Sequence, residues 1–168
     1  MPSLAGDNRR KGGRARAKRR GGRRWTREQL HGARTFVDTN ALTYVFDDAE
    51  PKKRDAARAR LAAERQEREI VISTQILQEL YASLTRGPDP IAPSDVAERA
   101  VRDAADLTVV QIDTPLVLAA IAASRRHQLS FWDALVVRAA VHAGCEMLLT
   151  EDLNDGQVIE GVRIENPF

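Results

Sequence analysis

Short apolar runs alternate with longer segments of helical periodicity over most of this chain. The runs are rich in β-branched residues and bounded by polar ones, a pattern typical of short buried strands. Five strands are predicted, with the last at an edge of the sheet: Thr35–Asp38, Ile70–Ser73, Thr108–Ile112, Met147–Thr150 and Val162–Glu165.

Helices are predicted between these strands, with recognisable start and stop signals. They are Asn40–Phe46, Lys52–Glu69, Gln75–Thr85, Asp95–Asp106, a helix from Asp113/Thr114 to about His127, and Phe131–Ala143. Ser73/Thr74, Ser94 and Ser130 are the expected N-caps, and Gly144 is placed to end the last helix. Strands separated by such helices imply βαβ units, so we expect an α/β fold with a mostly parallel sheet and helices on both faces.

Length and composition are those of an ordinary globular domain. The 168 residues are 43% hydrophobic and 30% charged, which suits about one domain with a single core. No apolar run is long enough for a transmembrane helix, so no membrane association is expected. The basic N-terminus lacks the apolar stretch of a secretory signal, and the only cysteine, Cys145, cannot form an internal disulfide. A cytoplasmic location is therefore expected.

The net charge of +2 conceals a strongly divided chain. Residues 1–24 hold ten basic residues and one acid, whereas residues 25–168 hold 16 basic and 23 acidic residues, which gives +9 and −7. We expect residues 1–34 to form a disordered Arg/Gly-rich tail and residues 35–168 to fold. Three interpretations of the tail stay open: an arm that grips phosphates, a solvated segment without a role, or the product of a start site placed too early.

Four acids lie at the edges of apolar segments far apart in the sequence. They are Asp38, Glu79, Asp133 and Asp152. In open parallel sheets ligands bind at the carboxyl ends of the strands, and each acid falls near such an end. Converging carboxylates repel one another and attract a divalent cation, as a phosphodiester-cleaving site requires. Taken singly, Asp133 is also explained by the helix dipole and Glu79 by a solvated helix face.

The segment around Asp133 places a charge inside an otherwise apolar helix. Its sequence is Phe131-Trp132-Asp133-Ala134-Leu135. We interpret Trp132 as an anchor in the core, and the alternative is a platform on which a nucleic-acid base stacks.

Together these motifs resemble the PIN-domain ribonucleases, in particular the VapC-type toxins of bacterial toxin–antitoxin pairs. The matching segments, in this order, are Phe36-Val37-Asp38-Thr39-Asn40, Gln78-Glu79-Leu80, Ser130-Phe131-Trp132-Asp133-Ala134 and Leu149-Thr150-Glu151-Asp152. The resemblance covers about residues 35–168. It implies a three-layer α/β/α sandwich, a Mg²⁺- or Mn²⁺-dependent endoribonuclease that acts on RNA, a homodimer, and a small antitoxin as partner.

The resemblance also assigns roles to individual residues. The metal-binding acids are Asp38, Glu79 and Asp133, and the family's fourth acid maps to Asp152, although Glu151 and Asp155 are close enough to compete. Asn40 and Thr150 are supporting polar groups. We expect Asp38 and Asp133 to bind the ion directly, with Asp152 and Glu79 completing its shell through water.

A second hypothesis belongs to another functional class. In it the protein is a non-catalytic nucleic-acid-binding module, with a PIN-like body as scaffold and the basic N-terminal arm as the affinity element. All four acids are present, however, which favours the enzyme.

Overall fold

The computed structural model describes residues 32–168, so nearly all of the predicted basic tail lies outside the described residues. Six strands form one sheet in the order β3-β2-β1-β4-β6-β5. They are β1 Arg34–Val37, β2 Glu69–Ser73, β3 Thr108–Val110, β4 Met147–Leu149, β5 Val158–Ile159 and β6 Val162–Glu165. Neighbouring strands run parallel except for the β5–β6 hairpin. The predicted mostly parallel sheet is confirmed.

Six α-helices and one 3₁₀ turn occur in residues 32–168. They are α1 Thr39–Thr43, the 3₁₀ turn Tyr44–Phe46, α2 Pro51–Glu67, α3 Thr74–Thr85, α4 Ser94–Ala105, α5 Thr114–His127 and α6 Phe131–His142. Ser73 and Ser130 cap α3 and α6 as expected, and Gly144 follows α6 with a φ of +67°, which glycine adopts without strain. Among the described helices, none has the length and apolar character needed to span a bilayer.

The strand order explains the layers. From β1 to β2 to β3 the chain moves one way across the sheet, and from β3 it returns past β1 to β4. Because parallel crossovers are right-handed, the helices of the outward and return connections lie on opposite faces. Helix α6 packs against β2, β4 and β6 on one face, while α2 and α3 contact β2. The three-layer α/β/α sandwich is therefore confirmed.

Two expectations about local structure are wrong. Val162–Glu165 is not an edge strand, because the two-residue strand β5 pairs with it and forms the edge. A strand that short carries no periodic signal, and it is held by the tight turn at Glu160 and Gly161, both at positive φ. Ser94 is the first residue of α4 rather than its cap, because Pro93 occupies the N-cap position.

The core lies between the sheet and its helices. The register of the strands determines which residues meet at the carboxyl edge of the sheet. Phe36 of β1 is aligned with Val71 of β2 and Leu148 of β4, and all three are fully buried. Val37 is aligned with Leu149. The residues that follow these two, Asp38 and Thr150, therefore emerge side by side at the carboxyl edge.

Candidate active site

Asp38 is a buried carboxylate at the carboxyl end of β1. Its backbone N–H still donates to the Leu149 carbonyl at 3.0 Å, which continues the β1–β4 ladder by one residue. Its side chain caps α1, because Oδ1 accepts the Thr39 N–H at 2.7 Å. The other oxygen, Oδ2, accepts the Thr150 hydroxyl at 2.7 Å. Asp38 is only 8% exposed, and all of these donors are uncharged.

Asn40 connects Asp38 to Asp152. Its amide nitrogen lies 3.1 Å from Asp152 Oδ2, 3.2 Å from Thr150 Oγ1 and 3.5 Å from Asp38 Oδ2. Thr150 Oγ1 in turn accepts the Asp152 N–H at 3.1 Å. The amide oxygen of Asn40 is buried without a hydrogen-bond partner among the described residues. An oxygen in that state is suited to a ligand that accepts its lone pair.

Glu79 reaches the same place from α3. Its Oε2 accepts the Thr39 hydroxyl at 2.6 Å, and its Oε1 accepts the Gln75 amide at 2.9 Å. Thr39 therefore touches Glu79 with its side chain and Asp38 with its backbone. Three of the four predicted acids, Asp38, Glu79 and Asp152, are gathered by uncharged donors.

The electrostatic consequence appears at Asp38. Burial raises the pKa of its carboxyl to about 6, and the hydrogen bonds from Thr150 and Thr39 oppose that rise. The negative charges of Asp152 and Glu79 raise the pKa further. A buried acid surrounded by other acids favours either a proton or a cation.

Asp133 is placed differently. It lies half-buried in the first turn of α6, where Ser130 Oγ accepts its N–H at 3.1 Å and donates to its Oδ2 at 2.7 Å. No hydrogen bond between described residues joins Asp133 to the other acids. Within residues 32–168, no three His, Cys, Asp or Glu side chains come together in an arrangement that could hold a metal ion. Hydrogen bonds through Thr39, Asn40 and Thr150 thus link Asp38, Glu79 and Asp152 without forming such an arrangement, and Asp133 is engaged with its cap.

The donors that do converge fit a hard divalent cation. Asp38 and Asp152 supply carboxylate oxygens, and Asn40 supplies a buried amide oxygen with no partner in the described part of the chain. Mg²⁺ and Mn²⁺ prefer oxygen ligands of these kinds and keep several waters.

Hydrogen bonds distinguish Asp152 from the neighbouring acids Glu151 and Asp155. Glu151 is paired with Lys53 at 2.5 Å, and this bond raises the pKa of Lys53. Asp155 instead accepts the backbone N–H of Asn166. Asp152 is the acid that contacts Asn40, so it is the one that joins the cluster.

A cleft of about 460 Å³ opens beside the cluster. Its lining includes Asn40, Thr43, Glu79, Arg86, Glu151 and Asp152. Thr43 and Arg86 carry no sequence signal, because only the packing of α1 against α3 brings them to the same cleft. Trp132 also departs from expectation: it is 61% exposed and makes an edge-on contact with Phe131, so it is not a core anchor.

Comparison with known proteins agrees with the fold. Residues 35–155 match the model of the PIN domain family. A search of curated proteins found no match. Among solved structures, a toxin–antitoxin complex from Klebsiella pneumoniae is similar with a TM-score of 0.59 and 21% identity, over 80% of this chain and 98% of that one. VapBC2 from Rickettsia felis, bound to a promoter DNA fragment, is similar with a TM-score of 0.58 and 16% identity, over 79% of this chain and 98% of that one.

A third similar structure is VapC20 from Mycobacterium tuberculosis, described as a toxin that cleaves the sarcin–ricin loop. Its TM-score is 0.52 and its identity 21%, over 68% of this chain and 86% of that one. The family model spans most of the domain and includes all four acids, and the fold is that of the VapC toxins. The chain belongs to the PIN domain family.

Proposed function

We propose that this protein is a metal-dependent endoribonuclease and the toxin of a toxin–antitoxin pair. The main support is Asp38, a buried carboxylate at a strand end that has acids beside it and no cation from the described chain to balance it. Membership of a family whose nucleases generally use divalent metal ions supports the same conclusion. The cleavage of the sarcin–ricin loop by the similar VapC20 supports RNA as the substrate.

Each residue of the site has a defined part in this proposal. Asp38, Asp152 and Asp133 would hold a Mg²⁺ or Mn²⁺ ion, and Glu79 would contribute through water. Asn40 and Thr150 fix the orientation of the Asp38 and Asp152 carboxylates, and Thr39 fixes that of Glu79. When bound, the cation supplies Lewis-acid chemistry, which neutralises charge on the phosphate and lowers the pKa of an attacking water.

The test is cleavage of RNA by the full chain with Mg²⁺ or Mn²⁺, with EDTA as the metal-free reference. Asp38→Asn keeps the side-chain volume and removes the charge, and we expect cleavage to fall about 10³-fold, or roughly 4 kcal/mol of transition-state stabilisation. Asp103→Asn is the matched control, because Asp103 is an exposed acid on α4 and is not part of the cleft lining. Wild-type rates in a folded Asp38→Asn variant would reject the proposal, and RNA binding without cleavage would favour the non-catalytic module.

We also propose a small antitoxin as partner and a homodimeric cytoplasmic toxin. Support for the antitoxin comes from the similar structures, several of which are toxin–antitoxin complexes. Co-expression of the chain with the product of its neighbouring gene tests this. A stable complex that suppresses RNA cleavage is expected, and the mass of the free toxin by light scattering reports the dimer. A neighbour that neither binds nor inhibits would argue against the pairing.

A further inference from the structure

Arg86 has no partner among the described residues, and it lies in a cleft whose lining includes several acids. Most lysines and arginines of residues 32–168 donate to a carboxylate or a carbonyl oxygen. The exceptions in that range are Lys52, Arg65, Arg86 and Arg125. Of these four, Arg86 lines the 460 Å³ cleft beside the acid cluster. It lies at the C-terminal end of α3, with an exposed side chain.

The acids of the cleft do not use Arg86. Glu79 is held by Thr39 and Gln75, Glu151 by Lys53, and Asp152 by Asn40, while Asp47 accepts the backbone N–H of Ala49. An arginine that served the fold would be expected in an ion pair with one of them, as Arg60 is with Glu165 elsewhere in the molecule. The Arg86 guanidinium therefore remains available for an anion from outside the chain.

Thr43 supplies a second, independent sign of a missing ligand in the same cleft. Its hydroxyl is buried and has no hydrogen-bond partner among the described residues. Thr43 lies three residues after Asn40 on α1, so the two side chains share a helix face, and both line the cleft. Buried hydroxyls are almost always satisfied in folded proteins, so we expect a group from outside the described residues to complete this one.

We propose that Arg86 and Thr43 form a subsite for a backbone phosphate of the RNA, next to the bond that is cut. This inference rests on the proposed function and names how the substrate is held. A guanidinium offers parallel N–H donors that match two phosphate oxygens, and a threonine hydroxyl adds a further donor. Arg86 is the one cation in the lining of this cleft, and the other charged residues of the lining are acids, so we expect an anion to bind beside Arg86. Binding of one phosphate beside Arg86 would set which phosphodiester bond of the RNA lies next to Asp38.

Steady-state cleavage of an oligoribonucleotide by the full chain tests Arg86. We expect Arg86→Gln to raise KM about tenfold, as the loss of a charged hydrogen bond does, with kcat changed less than about twofold. Arg86→Lys should recover part of the loss, because lysine keeps the charge and lacks the fork. Arg125→Gln is the matched control, since Arg125 is also exposed and without a partner but lies at the end of α5 outside the cleft lining.

Neutral linkages locate the phosphate. The substrate carries one methylphosphonate at a chosen position beside a 2′-O-methyl ribose, and the reference carries the 2′-O-methyl group alone. At the position that Arg86 contacts, the neutral linkage should weaken wild-type cleavage and leave Arg86→Gln unaffected, because the same interaction is removed twice. At other positions the effect of the neutral linkage and the effect of Arg86→Gln on cleavage should multiply, because they are independent. The basic tail does not obscure this result, since it is identical in all variants.

Thr43 is tested by its isostere. Thr43→Val keeps the shape and removes the hydroxyl, so we expect KM to rise about threefold to tenfold, whereas Thr43→Ser should stay close to wild type. Without substrate, Thr43→Val should be as stable as wild type or more so, because it removes an unsatisfied buried group. A hydroxyl needed by the fold would instead show loss of stability with KM unchanged, which would count against the subsite.

Failure of this inference is separable from failure of the proposed function. Suppose that wild type cleaves RNA and that Arg86→Gln has the same KM as wild type for every substrate, whichever linkage carries the methylphosphonate. The subsite proposal is then wrong, and the nuclease proposal stands. If Arg86→Gln only weakens binding of a protein partner, Arg86 recognises a protein carboxylate, and the subsite is again wrong. If wild type cleaves no RNA, the nuclease fails, and the same oligonucleotides in a binding assay decide whether Arg86 and one phosphate still couple.

Discussion

Two acids are equally buried in this protein and have opposite surroundings. Glu64 on α2 is 7% exposed, and Asp38 at the end of β1 is 8% exposed. Glu64 accepts the Arg60 guanidinium at 3.0 Å and the Thr35 hydroxyl at 2.7 Å, with Arg68 at 3.9 Å. Asp38 receives uncharged donors only, and its charged neighbours are acids.

The difference separates a structural acid from a functional one. Burial of a charge is costly unless a counter-charge accompanies it, and the chain provides that counter-charge for Glu64. For Asp38 the described chain provides hydrogen bonds but no cation. The acids around Asp38 have no counter-charge from the described chain, and they lie at the carboxyl edge of a parallel sheet. We therefore expect a ligand to supply that charge.

The comparison is most sharply tested by neutralising Asp38 in metal-free solution. The pKa of Asp38 is raised in the folded chain to about 6 from an ordinary value near 4. The folded chain therefore loses stability as the pH rises from about 4 to about 6, because Asp38 ionises less readily when folded than when unfolded. Asp38→Asn should then increase the free energy of unfolding by up to about 3 kcal/mol near pH 7.5 in EDTA. The gain should shrink as the pH falls and vanish below about pH 4, where Asp38 is protonated in both states.

Denaturant unfolding at several pH values measures this gain, with Asp103→Asn as the control that should change little. A folded Asp38→Asn variant that is less stable than wild type at neutral pH would mean that Asp38 is a structural acid like Glu64.

Neutralising Glu64 should have the opposite effect. Glu64→Gln leaves Arg60 and Arg68 without their buried partner, so we expect the free energy of unfolding to fall by about 2 kcal/mol at neutral pH. RNA cleavage per folded molecule should stay within about twofold of wild type, because Glu64 contacts α2, β1 and no residue of the cleft. Unfolding curves and cleavage rates measured on the same preparation check both statements. A cleavage defect in a fully folded Glu64→Gln variant would contradict the assignment of Glu64 as a purely structural acid.

The smallest expected effect concerns Asp133, whose partner is also uncharged. Ser130→Ala removes the N-cap of α6 and the hydroxyl that binds the Asp133 carboxylate, so stability should fall by about 1 kcal/mol. If Asp133 serves the metal, cleavage should fall several-fold as well, and Ser130→Thr should retain most of it. An unchanged cleavage rate would assign Ser130 and Asp133 to helix capping alone.

The sequence predicts those features correctly whose signal is local or topological. An acid directly after an apolar strand, as in Val37-Asp38, reveals the carboxyl edge from the sequence alone, and β1–β4 register then places Thr150 next to it. The N-caps Ser73 and Ser130 follow from local hydrogen-bond chemistry. Strand β5 has only two residues and shows no period, so the sequence does not predict it and wrongly places β6 at the edge.

Other features depend on packing and could not be predicted. Helix α6 is apolar on most sides, so its pattern does not tell which face meets the sheet, and the predicted core position of Trp132 is wrong. Arg86 and Thr43 become notable only because the acids of the same cleft already have hydrogen-bond partners. The separation of Asp133 from the acids around Asn40 is likewise a tertiary result.

Binding of Mn²⁺ to the full chain, measured by calorimetry for wild type and for Asp38→Asn, tests the central claim most directly. We predict saturable binding to wild type that raises the melting temperature, because the ion binds the folded state preferentially. That binding should be lost in Asp38→Asn and kept in Asp103→Asn. Equal binding by wild type and a folded Asp38→Asn variant, or none by either at millimolar Mn²⁺, would contradict a metal site built on Asp38.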